Sequence, residues 1–382
     1  MSDFALTKHP AMVLKPGAAR DTGTHVAEMC APASRVLVVA DPALVSLGLI
    51  DPIMTSIEAG GHRVSLFSDL QSDPKESSVD AATRMAHEIR VDCVVGVGGG
   101  SALDTAKVVA VLAHTGEACA PYRLAQNQLP FRKTALIALP TTAGTGSETT
   151  GTSIISQSDG TKNWFWGPPL KPDMALMDPE LTVGLPAFWT FYTGLDALVH
   201  AIESRTNRYR YAQNDGIAEL AIRHGIDNLQ RAVAAPDDIS ARSGMMLAAA
   251  YAGLAIGNTG CAVAHNIGHA LGSLAGIPHG RAVSVALAAT TPWAAGENRD
   301  AFAQVARLIG ADGPDGIPDR LHRLAVDCGE ALTLSDEEKS KVSVETLAEA
   351  MVEPANIAML EATARDASAA DVEQLATMTL RA

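Results

Sequence analysis

At 382 residues, the chain is long enough for two domains of roughly 100–200 residues each. Apolar residues make up 47% and charged residues 19%, and 32 glycines with 20 prolines are ordinary usage, which excludes a disordered or collagen-like chain. With 29 basic against 43 acidic side chains the net charge is −14, and no basic patch reverses that field, so neither nucleic acid nor an anionic membrane is an expected partner. The longest apolar stretch, Met245 to Ile256, falls short of the roughly 20 residues of a membrane span. The start of the chain lacks the apolar core of a secretory signal. The five cysteines are scattered and odd in number, which makes a reducing cytoplasm the expected location.

In chain order, short β-branched runs at Arg35 to Ala40, Arg63 to Phe67, Cys93 to Val97 and Thr134 to Leu139 alternate with helical patterns. Strands spaced by helices predict a mainly parallel sheet covered on both faces. From Phe188 onward, Ala- and Leu-rich stretches of helical period predict an all-α second domain. The expected boundary lies between Asp178 and Pro186, where two prolines interrupt helix formation, giving domains 1–184 and 185–382. Gly310 to Pro318 reads as a loop between helices.

The strand ending at Val97 feeds Gly98-Gly99-Gly100-Ser101-Ala-Leu-Asp104-Thr-Ala-Lys107, which turns into a helix at Ser101. A glycine turn at a helix start presents unpaired N–H groups and the positive end of the helix dipole, a natural seat for phosphate; the same glycines also suit any tight strand-to-helix turn. A second loop, Pro140-Thr141-Thr142-Ala143-Gly144-Thr145-Gly146-Ser147-Glu148, follows the next strand. Two such loops at the carboxyl edge of one parallel sheet point to a dinucleotide. Asp41, directly after the first of these strands, stands where a carboxylate accepts hydrogen bonds from an adenosine ribose and repels a 2′-phosphate, which favours NAD over NADP. Taken alone, Asp41-Pro42 reads first as a helix cap with proline in the first turn.

Three of the eleven histidines, His265, His269 and His279, fall within fifteen residues. In Thr193-Gly-Leu-Asp196-Ala-Leu-Val-His200-Ala-Ile-Glu203 the aspartate and histidine are four apart, so both project from one helix face, and His265 and His269 repeat that spacing. Pro278-His279-Gly280 adds an imidazole from a turn. One aspartate with three histidines makes an N/O site for Fe(II) or Zn(II) without cysteine. The competing readings are a helix-surface ion pair for Asp196 and His200, and packing histidines for His265 and His269. Burying several imidazoles with no shared partner is costly, which favours the metal. Glu203 either orients a ligand or, as the expected case, lies on an exposed helix face.

Taken together, Gly98 to Lys107, Pro140 to Glu148, Gly194 to Glu203 and His265 to Gly272 with Pro278-His-Gly280 resemble the iron-containing (group III) alcohol dehydrogenase family, over nearly the whole chain and in the family's order. The resemblance implies an α/β dinucleotide-binding domain followed by a helical metal-binding domain. It places the metal ligands at Asp196, His200, His265 and His279, and puts His269 beside the nicotinamide as a catalytic candidate. It sets Asp41, Gly98, Gly99, Gly100, Ser101, Asp104, Thr141, Thr142, Thr145 and Lys162 at cofactor positions and Thr152 in the substrate pocket. Two stretches depart from the pattern: Asp73-Pro74 replaces Asn-Pro, and Thr363-Ala364-Arg365 keeps only the arginine of Asn-Pro-Arg. The implied activity is NAD(P)-linked, metal-dependent interconversion of a small alcohol and its aldehyde or ketone, in a homodimer or larger oligomer. Two alternatives compete with it. One is a lyase resembling dehydroquinate synthase, whose ligand pattern has a glutamate where Asp196-x-x-x-His200 stands. The other is a non-catalytic nucleotide- or metal-binding protein.

Overall fold

The computed structural model describes residues 8–382. The chain divides into two compact units, one formed by Lys8–Thr142 with Ser147–Gly184 and the other by Ala143–Gly146 with Leu185–Ala382.

The first unit holds a six-stranded sheet in the order β1 (Ala11–Leu14), β8 (Met174–Met177), β5 (Ala135–Pro140), β4 (Cys93–Gly98), β2 (Arg35–Ala40), β3 (Arg63–Phe67). Every neighbouring pair is parallel, with Val38 opposite both Leu66 and Val95. The helices of this unit are α1 (Thr22–Met29), α2 (Pro42–Ser46), α3 (Asp51–Ala59), α4 (Glu76–Glu88) and α5 (Gly100–Leu112). In β2, Val36, Val38 and Ala40 pack with Ile53 and Ile57 on one side, while Leu37 and Val39 pack with Ala106 and Val109 on the other. Burial of both faces is why these strands read as unbroken apolar runs rather than alternating ones.

Three features go beyond the four strands expected from the sequence. The strands β1 and β8 are only four residues long, and Met174-Ala-Leu-Met177 has the composition of a helix. An antiparallel hairpin pairs β6 (Thr152–Ser156) with β7 (Lys162–Trp166), so the unit is not wholly parallel.

The second unit has helices and no strand among its described residues: α6 (Ala187–Thr206), α7 (Ala212–Ala234), α8 (Ile239–Thr259), α9 (Val263–Ala275), α10 (His279–Ala294) and further helices from α11 (Arg299–Ile309) to α16 (Ala369–Arg381). Residues 194–206 of α6 are all buried, which makes it the central helix of the bundle. Asp196, His200 and Glu203 are therefore enclosed and need partners. The stretch Met245 to Ile256 lies within α8, whose 21 residues are long and apolar enough to cross a membrane by composition alone. In this fold α8 is a core helix: Ala241, Met245, Ala248, Ala249 and Ala252 pack into the same cluster as Leu195, Leu198 and Ile202 of α6.

Candidate functional site

Within the helical unit, Asp196 and His200 stand one turn apart on α6, His265 faces them from the start of α9, and His279 opens α10. The close approach of α10 to α6 needs Gly280, where a Cβ would lie 2.3 Å from the Tyr192 carbonyl oxygen. One ligand atom from each of the four side chains lies within 4.8 Å of all the others. Asp196 Oδ1 is 3.7 Å from His200 Nδ1 and 3.6 Å from both His265 Nε2 and His279 Nε2. Ligand bonds of roughly 2.0–2.2 Å in a tetrahedron require donor separations of about 3.3–3.6 Å, close to these values. Asp196 Oδ1, His200 Nδ1 and His265 Nε2 are also buried without a hydrogen-bond partner. Such orphaned atoms aimed at one point fit a shared cation, which would relieve the cost of all three at once.

The electrostatics agree. Burial alone would push the Asp196 carboxyl up, but the charges of His200, His279 and His265 outweigh it and hold the group below the usual carboxylate range. Burial carries His200 down to about 4, leaving a neutral imidazole of the kind a metal needs. For His265 burial also pulls downward, yet the Glu203 and Asp196 carboxylates reverse it and raise the group to about 9.

Glu203 corrects the expectation of an exposed helix-face residue. It is 3% exposed. Its Oε2 accepts a hydrogen bond from Ala262 N at 2.8 Å and lies 2.6 Å from His265 Nδ1, and its Oε1 accepts from Ala264 N at 2.6 Å. The carboxylate thus takes up backbone donors at the start of α9 and holds the His265 ring by Nδ1, so that Nε2 faces Asp196 and would release its proton to a bound ion. The sequence signal was the seven-residue spacing from Asp196, two helical turns along one face. Glu203→Gln is expected to keep the fold and lower metal affinity about 10- to 100-fold, read by competition with a chromogenic chelator. The Cys261 thiol lies within 4.8 Å of ligand atoms on Glu203 and His265. Burial, then the Glu203 and Asp196 charges, push it well above the ordinary thiol range, so it stays protonated and is a poor ligand.

His269, one turn beyond His265, is not among the four whose ligand atoms converge, although it lies near His279. Its ring centre is 6.4 Å from that of His265 and 5.3 Å from that of His279. Arg365, the survivor of the departing C-terminal stretch, lies 4.6 Å above the Trp293 ring and donates to the Trp293 carbonyl at 3.0 Å.

In the sheet unit the glycine turn has the geometry the motif asks for. Gly98 has φ +149°, and a Cβ there would lie 2.7 Å from that of Ala102 and 3.5 Å from that of Asp41. Thr141 N donates to Gly98 O at 3.0 Å. Asp41, Gly98 and Thr141 thereby share the carboxyl edge of the neighbouring strands β2, β4 and β5, with Gly99, Gly100 and Ser101 opening α5 and Thr142 beside Gly99. Asp41 also caps α2, its Oδ1 accepting from Ala43 N at 2.8 Å, so the capping role is real as well. Ser101 Oγ donates to Ser72 O at 2.5 Å, and Lys162 pairs with Asp73 at 3.1 Å, which brings both candidates to the segment carrying the Asp73-Pro74 departure. Asp104 is turned inward: its Oδ1 accepts from Ser147 Oγ at 2.5 Å and its Oδ2 from Ile154 N at 2.9 Å. Thr152 begins β6, and Thr145 belongs to the stretch that groups with the helical unit.

Glu148, which ends the threonine loop, is buried, and desolvation raises its carboxyl to about 7 against the pull of Lys107. The folded protein therefore holds a proton that the unfolded chain releases above an ordinary 4.5, so stability falls as pH rises from about 4.5 to 7. Glu148→Gln should flatten that slope. Relative to the wild type it gains about 3 kcal/mol between pH 4.5 and 8, at roughly 1.4 kcal/mol per pH unit, as measured by denaturant melts.

Known proteins match both units. Residues 10–179 match the family described as iron-containing alcohol dehydrogenase, and residues 190–380 match the C-terminal part of the same family. The chain belongs to the iron-containing alcohol dehydrogenase family. It is 33% identical over 299 residues to choline dehydrogenase of Bacillus subtilis, covering 78% of this chain and 74% of that one. It is 38% identical over 257 residues to long-chain-alcohol dehydrogenase 1 of Geobacillus thermodenitrificans, covering 67% and 65%. The crystal structure of sulfoacetaldehyde reductase from Bifidobacterium kashiwanohense in complex with NAD+ superposes with a TM-score of 0.88 at 26% identity, covering 99% of this chain and 98% of that one. As a member of this family the chain is an oxidoreductase acting on CH–OH groups, with NAD and iron as cofactors.

Proposed function

We propose that Asp196, His200, His265 and His279 hold one divalent ion, and that this centre serves the reversible oxidation of a small alcohol to its aldehyde or ketone. The observation that carries this is the convergence of four donor atoms, three of them buried and unpartnered. A bound divalent ion supplies Lewis-acid polarisation of the alcohol or carbonyl oxygen, and NAD supplies the hydride acceptor. Asp196 brings the one negative charge of the set, His200 brings a neutral nitrogen, and Glu203 orients His265 so that Nε2, which gives up its proton as the ion binds, faces the site. Both Fe(II) and Zn(II) suit three imidazoles and a carboxylate.

The division near residue 184 separates the dinucleotide-binding domain, 1–184, from the metal-binding domain, 185–382. In the first, the α5 N-terminus at Gly98 to Ser101 takes the pyrophosphate, Asp41 the adenosine ribose, and Thr141, Thr142 and Lys162 further parts of the cofactor. Thr145 is a cofactor position by the family resemblance alone. Asp104, with both oxygens engaged by protein donors, supports these groups from behind, and Thr152 lines the substrate pocket. Five free thiols favour a reducing cytoplasm. The family resemblance supports a homo-oligomer, a dimer or larger, which light scattering tests.

An alcohol screen following NADH absorbance, run on anaerobically Fe-loaded and Zn-loaded protein, tests the reading. Metal-dependent NADH formation is expected, and turnover indifferent to metal would refute the assignment. Asp41→Gly should narrow the preference for NAD over NADP in matched kcat/KM measurements, because it removes the charge that repels a 2′-phosphate. A wild-type preference for NADP would leave Asp41 as a helix cap alone.

A further inference from the structure

In the sheet unit, the chemistry above leaves the buried ammonium of Lys107 without a task. Lys107 is 1% exposed on α5, one turn after Asp104. A buried ammonium is costly unless its protons are all engaged. Here Nζ donates to Ser147 Oγ at 2.6 Å, to Thr150 Oγ1 at 3.0 Å and to the Thr152 carbonyl at 2.8 Å, so three donors meet three acceptors. Asp104 Oδ1 lies 3.4 Å away and balances the charge. The same carboxylate accepts from Ser147 Oγ through Oδ1 and from Ile154 N through Oδ2. Residues 147–154 are thus gripped at four positions by two side chains of one helical turn.

An apolar residue at 107 would serve helix packing as well. The polar grip adds a fixed register between α5 and the segment after the threonine loop. Sheet order gives that register a use. Asp41 lies at the end of β2, the glycine turn at the end of β4, and Thr141 at the end of β5 on the far side. A dinucleotide with its adenosine ribose at Asp41 and its pyrophosphate at the α5 N-terminus runs its nicotinamide half toward β5 and the residues that follow. We propose that Lys107 is a positioning residue that, through Ser147, Thr150 and Thr152, holds the segment receiving the nicotinamide half of the cofactor. This rests on the NAD reading above.

The test compares NADH with ADP-ribose, which lacks the nicotinamide, by calorimetry on wild type, Lys107→Met and the milder Ser147→Ala. Lys107→Met is expected to weaken NADH about 10-fold and ADP-ribose less than about 2-fold, with Ser147→Ala shifting NADH the same way by about 3-fold. Faster hydrogen exchange at the Ile154 amide should accompany both. Equal losses for the two ligands, or none, would overturn the assignment, because a merely structural lysine has no reason to separate the halves. If Lys107→Met fails to fold, the two affinities of Ser147→Ala decide in the same way. A wild type that binds neither ligand would instead sink the NAD reading, and the inference with it.

Discussion

His265→Ala is expected to strip the metal from the protein and to lower turnover at least about 10³-fold, since a Lewis acid contributes several kcal/mol to such a reaction. The substitution removes one of four converging donors, its Nε2 lying 3.6 Å from Asp196 Oδ1. It also takes away a partner of Glu203, leaving a buried carboxylate with only its backbone donors. The variant should therefore melt below the chelator-treated wild type as well as below the metal-loaded one. That second comparison separates loss of the ion from loss of the Glu203 contact. Metal analysis and melting curves on one preparation check both, and full metal content with normal turnover would remove His265 from the ligand set.

Why Asp196, His200 and the histidine cluster were legible in the sequence is a matter of period. A four-residue spacing puts two side chains on one helix face whatever the tertiary structure. Glu203 lies on the same face by the same arithmetic, but its burial depends on α6 being enclosed by the surrounding helices, which no local pattern encodes. The strands β2 to β5, of which β2, β4 and β5 are almost wholly buried, announced themselves through β-branched runs. By contrast, β1 and β8 are too short for a periodic signal, and β8 is built from residues that favour helices. The hairpin did carry a mark, the Asp159-Gly160 pair at its turn, where Gly160 has φ +95°. The Lys107 grip was out of reach for a different reason. It joins α5 to residues 40 to 50 positions later, and within a fully buried helix a lysine has no amphipathic pattern to betray its direction.

His269→Ala tests the histidine that the four-donor centre does not use. It follows His265 by one turn of α9 and stands close to His279, yet it is absent from the group whose ligand atoms converge. It is also less enclosed than His265, as a group that exchanges protons with solvent must be. Imidazole can take up a proton and pass it on near neutral pH, and alcohol oxidation releases one with every turnover. His269→Ala should therefore keep its metal and lose turnover by roughly 10²–10⁴-fold, the effect of removing a general acid–base group. A positioned proton acceptor also leaves a limb in the pH–rate profile, which the variant should lack. Small imidazole added to the assay should restore part of the rate in His269→Ala and none in His265→Ala, because in the latter the metal is gone. Loss of metal in His269→Ala would make His269 a ligand. An unchanged rate and profile would make it a packing residue between α9 and the start of α10.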